Sequence, residues 1–164
     1  MISEENLKKI KLILFDLKGV LTDKDGEFEE DLINGIGELI ATADKLGIDV
    51  GLISGSDIIV PLERLRGAGI RVVFNSAIDK VTPVSDYLKS RSLLYENVFF
   101  IADDILDLPL LNKVGIGAVP PSASRNVKRS VDHILKSEKS VDIVGEINNY
   151  LNGLLNEAPR RPTV

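Results

Sequence analysis

Leu12-Ile13-Leu14-Phe15-Asp16-Leu17-Lys18-Gly19-Val20-Leu21-Thr22-Asp23 is the stretch that decides the fold. Four apolar residues closed by an aspartate, with a glycine soon after, read as a buried parallel strand that carries a carboxylate to the C-terminal edge of a sheet. Open α/β folds place their chemistry at that edge. Working outward, similar apolar runs recur at 49–53, 71–74, 97–101 and 116–119, with a weaker one at 131–135. Between them lie segments of helical period. The clearest spans 31–46, where Leu32, Ile36, Leu39, Ile40 and Ala43 share a face and Gly47 closes the helix. Further helices are expected at 58–66, 80–91, 108–114, 122–129 and 141–155. Strands alternating with helices imply βαβ units with right-handed crossovers. The expected architecture is therefore α/β, a doubly wound, mostly parallel sheet with helices on both faces.

At 164 residues the chain has the size of one ordinary domain, expected over 1–157. Residues 158–164 hold proline and charge without an apolar period, and read as a flexible tail in which Arg160 and Arg161 are solvated. A hydrophobic content of 44% beside 27% charged residues is that of a globular chain. The formal net charge of −5 argues against nucleic acid or an anionic membrane as partner. With no cysteine, disulfides, thiol catalysis and cysteine-based zinc sites are excluded. No apolar run approaches the roughly 18 residues of a membrane span, and the polar, acidic start is unlike a secretory signal, so the cytoplasm is the expected location.

Other expected strands also end in polar groups suited to phosphate chemistry. The run at 49–53 ends in Ser54-Gly55, where a hydroxyl and backbone N–H groups can donate to a phosphoryl oxygen. Lys80 opens a helix after Asn75-Ser76-Ala77, and the run at 97–101 leads into Ala102-Asp103-Asp104-Ile105-Leu106-Asp107. Taken singly, each is an ordinary feature: a capping residue, a turn pair, a solvated lysine, an acidic first turn. Their common order along the chain sets them apart. His133, the only histidine, lies in apolar Val131-Asp132-His133-Ile134-Leu135 and reads as structural, since no second histidine is available for a metal pair.

These four segments resemble the motifs of the haloacid dehalogenase phosphatase superfamily over about 10–155. Within it the chain is similar to the small members without a cap domain, the 3-deoxy-D-manno-octulosonate 8-phosphate (KDO 8-phosphate) phosphatases and the C-terminal domains of acylneuraminate cytidylyltransferases. Matching stretches include Gly19-Val20-Leu21-Thr22-Asp23 and Lys113-Val114-Gly115-Ile116-Gly117-Ala118-Val119-Pro120. The resemblance implies Asp16 as the phosphate-accepting nucleophile, Ser54 and Gly55 as phosphate binders, and Lys80 as the cation that neutralises both phosphate and nucleophile. It also implies Mg²⁺ held by Asp16, the Lys18 carbonyl, Asp103 and Asp104, with a small phosphorylated metabolite as substrate.

Lys18 stands where the family has its second aspartate, the general acid and base. A lysine keeps the backbone carbonyl but not the base, and its ammonium is a poor proton donor at neutral pH. Such acid–base help is typically worth ~10²–10⁴ in rate. Its ammonium is expected within salt-bridge reach of Asp16 or of Asp103, Asp104 or Asp107, competing with the metal. Other departures are Ala102 for glycine, Ser56 where these sugar phosphatases usually carry arginine, and no glycine-rich segment in 136–140. The segment from Asp23 to Gly35 is shorter than the family's β-hairpin, which puts the usual tetramer in question and leaves a homo-oligomer open. Two readings stand: a Mg²⁺-dependent phosphomonoester hydrolase impaired by Lys18, or an inactive pseudo-phosphatase acting as a binding or regulatory module.

Overall fold

A computed structural model describes residues 2–55, 59–75 and 78–157. The strands are β1 (Leu12–Asp16), β2 (Asp49–Ile53), β3 (Val72–Phe74), β4 (Val98–Ile101), β5 (Ile116–Val119) and β6 (His133–Ile134). They form one sheet in the order β3-β2-β1-β4-β5-β6, and every pairing among the described residues is parallel. The helices are α1 (Glu4–Lys8), α2 (Asp31–Leu46), α3 (Ile59–Gly67), α4 (Val81–Ser90), α5 (Leu108–Leu111), α6 (Arg125–Arg129) and α7 (Ser140–Glu157). This is the doubly wound α/β architecture expected from the sequence, with no cap domain among the described residues.

Strand alternation sorts the core into two layers. Ile13 and Phe15 of β1 pack with Leu52, Phe99 and Ile101 beneath α2 and α7, through Ile36, Leu39, Ile143 and Ile147. Leu12 and Leu14 point the other way and join Ile53 and Phe100 under α4, α5 and α6, through Val84, Leu88, Leu110 and Val127. With both faces covered, β1 is buried along its whole length, which is why it reads as an unbroken apolar run. Register sets Asp16 opposite Ile53, so the first strand's carboxylate sits one residue from the Ser54 loop.

Several boundaries differ from the sequence expectation. Helix α1 is additional, its first turn closed by the Asn6 N–H donating to Ser3 Oγ at 3.2 Å. The helix expected over 108–114 ends at Leu111, because the chain must return to the sheet where Gly115 N–H donates to the Tyr95 carbonyl at 2.8 Å. The helix expected from 122 begins at Arg125, with Ser124 as its cap. The run at 131–135 contributes only His133 and Ile134 to an edge strand. Ser56, the start of the 58–66 helix and the tail 158–164 lie outside the described residues. Among the described residues no helix is long and apolar enough to cross a membrane.

The sharp return into β5 leaves no room for a side chain at Gly115, where a Cβ would collide with the Glu96 carbonyl. Gly115→Ala should cost about 1–3 kcal/mol in urea unfolding. Gly145, inside α7, has open space where an alanine methyl would sit. Gly145→Ala should instead stabilise the chain by about 0.5–1 kcal/mol. Equal midpoints for the two variants would contradict this account.

Candidate active site

Asp16 closes β1 at the centre of the sheet and is 6% exposed. Its Oδ1 accepts the Leu17 N–H at 3.1 Å and the Lys80 ammonium at 2.9 Å. Among the described residues its Oδ2 takes no hydrogen bond. Lys80, at the N-terminal boundary of α4, also donates to Asp107 Oδ1 at 2.5 Å. One ammonium therefore bridges two buried carboxylates, one closing β1 and one in the turn after β4.

After β4 the chain turns through a 3₁₀ segment, Ile105–Asp107. Asp104 caps it: its Oδ1 accepts the Leu106 N–H at 3.0 Å, while the Asp104 N–H donates to Asp107 Oδ2 at 3.4 Å. This reciprocal pairing turns Asp107 inward and leaves Asp104 exposed. Asp16, Asp103 and Asp107 bring carboxylate oxygens within 4.8 Å of one another. Asp104, named from the sequence as a metal ligand, lies outside that cluster, and Asp107 is its third member. The D-x-x-D spacing of a capping box was the signal for this.

The charges explain what such a cluster accepts. Burial, then the Asp107 carboxylate, push Asp16 up to about 7, against the pull of Lys80. Burial, then Asp107 and Asp104, likewise raise Asp103. For Lys80, burial lowers the ammonium's pKa, but Asp16 and Asp107 outweigh it and the net shift is upward. Three carboxylates facing one ammonium are short of positive charge. Hard oxygen donors in that state fit a divalent cation such as Mg²⁺.

Lys18 departs from expectation. Its side chain is exposed, and among the described residues it forms no ion pair with Asp16, Asp103, Asp104 or Asp107. Lys80 already occupies Asp16 and Asp107, and an ammonium left in water avoids a desolvation cost. The loop that carries it is tight. Thr22 N–H donates to Leu17 O at 2.9 Å and Gly19 N–H to Thr22 O at 2.8 Å. Neither bond uses the Lys18 carbonyl, which accepts no hydrogen bond among the described residues. Gly19, at φ +89°, lies against Asp103, and a Cβ there would collide with the carboxylate.

Asp16, Lys18, Ser54, Gly55, Lys80 and Asp103 line one cleft of about 440 Å³. Ser54 is buried and its backbone N–H donates to the Phe74 carbonyl at 2.9 Å. Ile78, 92% exposed, and Leu106, 81% exposed, form apolar lips. A larger hollow of about 950 Å³ adjoins it and shares Lys24, Asp103 and Asp104. The trimmed segment beside it has no strand; Asp23 and Glu27 close a turn, and Arg64 holds Phe28 and Glu30. His133 lies on the edge strand β6, away from this cleft.

No protein-family model matches the chain. Among curated proteins, the KDO 8-phosphate phosphatase of Haemophilus influenzae is 29% identical over 156 residues, covering 90% of this chain and 86% of its own. Among solved structures, one named a probable YrbI-family phosphatase from Pseudomonas syringae matches with a TM-score of 0.76 at 28% identity, over 93% of this chain and 92% of that one. The cobalt-bound KDO 8-phosphate phosphatase from H. influenzae matches at 0.78 and 26% identity, over 96% of both chains.

The raised Asp16 pKa has a consequence for stability. The folded state binds a proton that the unfolded state has released, so stability falls as pH rises from about 3.8 to about 7. Asp16→Asn removes this loss. In metal-free buffer its melting temperature should exceed that of the native chain by about 4 °C at pH 8. The gap should widen between pH 5 and 7 and level off above. Adding Mg²⁺ should narrow it by stabilising the native chain alone. Thermal melts across pH in chelator check this, and a gap independent of pH would refute it.

Proposed function

We propose that this chain, a haloacid dehalogenase-superfamily protein similar to the KDO 8-phosphate phosphatases, is a divalent-metal-dependent phosphomonoester hydrolase with a crippled proton-transfer step. The observation that carries the reading is Asp16: a buried carboxylate with one oxygen fixed by Leu17 N–H and Lys80, and the other unbonded among the described residues. The H. influenzae relative is named for action on KDO 8-phosphate and its structure holds cobalt. By that analogy the substrate here is a small phosphorylated sugar.

Asp16 Oδ2 attacks phosphorus and forms an aspartyl-phosphate, with the leaving oxygen departing on the opposite side. Lys80 offsets charge on the phosphoryl oxygens, and the Ser54 hydroxyl donates to one of them. Asp16, Asp103, Asp107 and the Lys18 carbonyl would hold Mg²⁺, which supplies further charge neutralisation when bound. Lys18 has three N–H donors and no acceptor, so it cannot take a proton from water. A sugar alkoxide, which needs protonation to leave, is then a poor leaving group. The same substitution favours a second reading, a pseudo-phosphatase that binds its phosphorylated ligand without turning it over.

Hydrolysis of p-nitrophenyl phosphate should exceed that of sugar phosphates, because a phenolate leaves without a proton. Lys18→Asp should raise sugar-phosphate turnover by about 10²-fold, and Asp16→Asn should abolish all activity. Steady-state phosphate release with Mg²⁺ measures each. Sugar-phosphate turnover by the native chain that survives Asp16→Asn would place the chemistry on other residues.

A further inference from the structure

The lysines that line the cleft differ in what holds them. Lys80 lies between Asp16 and Asp107. Lys18 and Lys24 form no ion pair among the described residues, and both are exposed. A bound divalent cation and Lys80 together balance the carboxylates of Asp16, Asp103 and Asp107. Lys18 and Lys24 then face one further cleft carboxylate, the exposed Asp104, and positive charge is left over. A neutral sugar as leaving group makes no use of that charge. A leaving group that is itself an oxyanion does, since an ammonium binds phosphate as a point charge. The adjoining hollow has the opposite character. Asp23, Glu27, Glu29 and Glu138 line it beside Asp103 and Asp104, against Lys24 and Lys139. It repels an extended anion, so an anionic leaving group suited to this chain is compact and stays in the cleft.

We infer a further activity, cleavage of phosphoanhydrides: the cleft takes a diphosphate whose terminal phosphorus meets Asp16 and whose second phosphate is bound by Lys18 and Lys24. The inference rests on the reading of Asp16 as nucleophile. It goes beyond that reading by giving the Lys18 side chain a role and naming a second substrate class. A bond forms between Asp16 Oδ2 and the terminal phosphorus. The bond from that phosphorus to the bridging oxygen breaks, and its electron pair stays on the bridging oxygen of the departing phosphate. That phosphate is stable as an anion at neutral pH, so its departure asks no proton of residue 18. The Lys18 ammonium offsets the charge that gathers on the bridging oxygen. Water then adds its oxygen to the phosphorus on Asp16, its proton passes to solvent, and a second phosphate is released with the carboxylate restored.

Binding is tested by calorimetry on the full chain with Mg²⁺, comparing methylenediphosphonate, whose bridge does not hydrolyse, with methylphosphonate. The diphosphonate should bind about tenfold tighter or more, Lys18→Met should remove most of that advantage, and Lys18→Arg should keep it. Turnover is tested by phosphate release from inorganic pyrophosphate. Lys18→Asp should lower it about tenfold or more while raising sugar-phosphate turnover, so that one substitution moves the two substrates in opposite directions. Equal binding of the two phosphonates would overturn the inference. An advantage that survives Lys18→Met would belong to the metal and overturn it too, as would Lys18→Asp moving both substrates the same way. Each of these results leaves the phosphatase reading standing if p-nitrophenyl phosphate hydrolysis depends on Asp16. No Asp16-dependent phosphate release from pyrophosphate or p-nitrophenyl phosphate would remove both.

Discussion

Everything at the head of the sheet depends on the Lys80 ammonium lying between Asp16 and Asp107. Without it, two carboxylates would face each other in a region where burial alone already disfavours charge. The pair comes from distant parts of the chain, one at the end of β1 and one in the turn after β4, and Lys80 reaches them from the start of α4. A single cation thus fixes three loops at once. It also sets the site's demand for more positive charge, because one ammonium does not balance the Asp16, Asp103 and Asp107 cluster.

Much of this was legible in the sequence because burial and topology leave direct marks on composition. A parallel strand covered on both faces must be apolar throughout, and Leu12 to Phe15 are. The carboxylate that ends it had few places to go other than the sheet edge. What the sequence left open depended on local geometry. Asp104 and Asp107 differ only in which way a 3₁₀ turn rotates them, and that turn is set by hydrogen bonds between the two residues. Lys18 was expected to pair because an ammonium beside carboxylates ordinarily does. The pairing failed because Lys80 was already in place, a competition visible only once three separate loops are brought together. Helix α1 is too short for its period to be read, and only its Ser3 cap marks it.

Asp16, Lys18, Ser54, Lys80 and Asp103 share one cleft whose apolar lips are Ile78 and Leu106, and the turn near Glu27 borders the adjoining hollow. Gly19 explains why the change at Lys18 is tolerated structurally. The loop's shape comes from Gly19 and from hydrogen bonds of Leu17 and Thr22, none of which involves the side chain at 18. The loop accepts an ammonium as readily as a carboxylate.

The pairing of β1 with β4 has a consequence for how the molecule comes into being. Leu12 is opposite Val98, so the central strand cannot complete its ladder until most of the chain is available. During synthesis from the N-terminus, β1 can pair with β2 early, but its other edge stays open while α3, β3 and α4 emerge. An apolar, half-paired strand is a template for association with other chains. Contacts this distant in sequence also slow folding. The nucleophile's setting is therefore assembled late, and a nascent chain stopped before Val98 would hold Asp16 at the end of a strand with one edge bare.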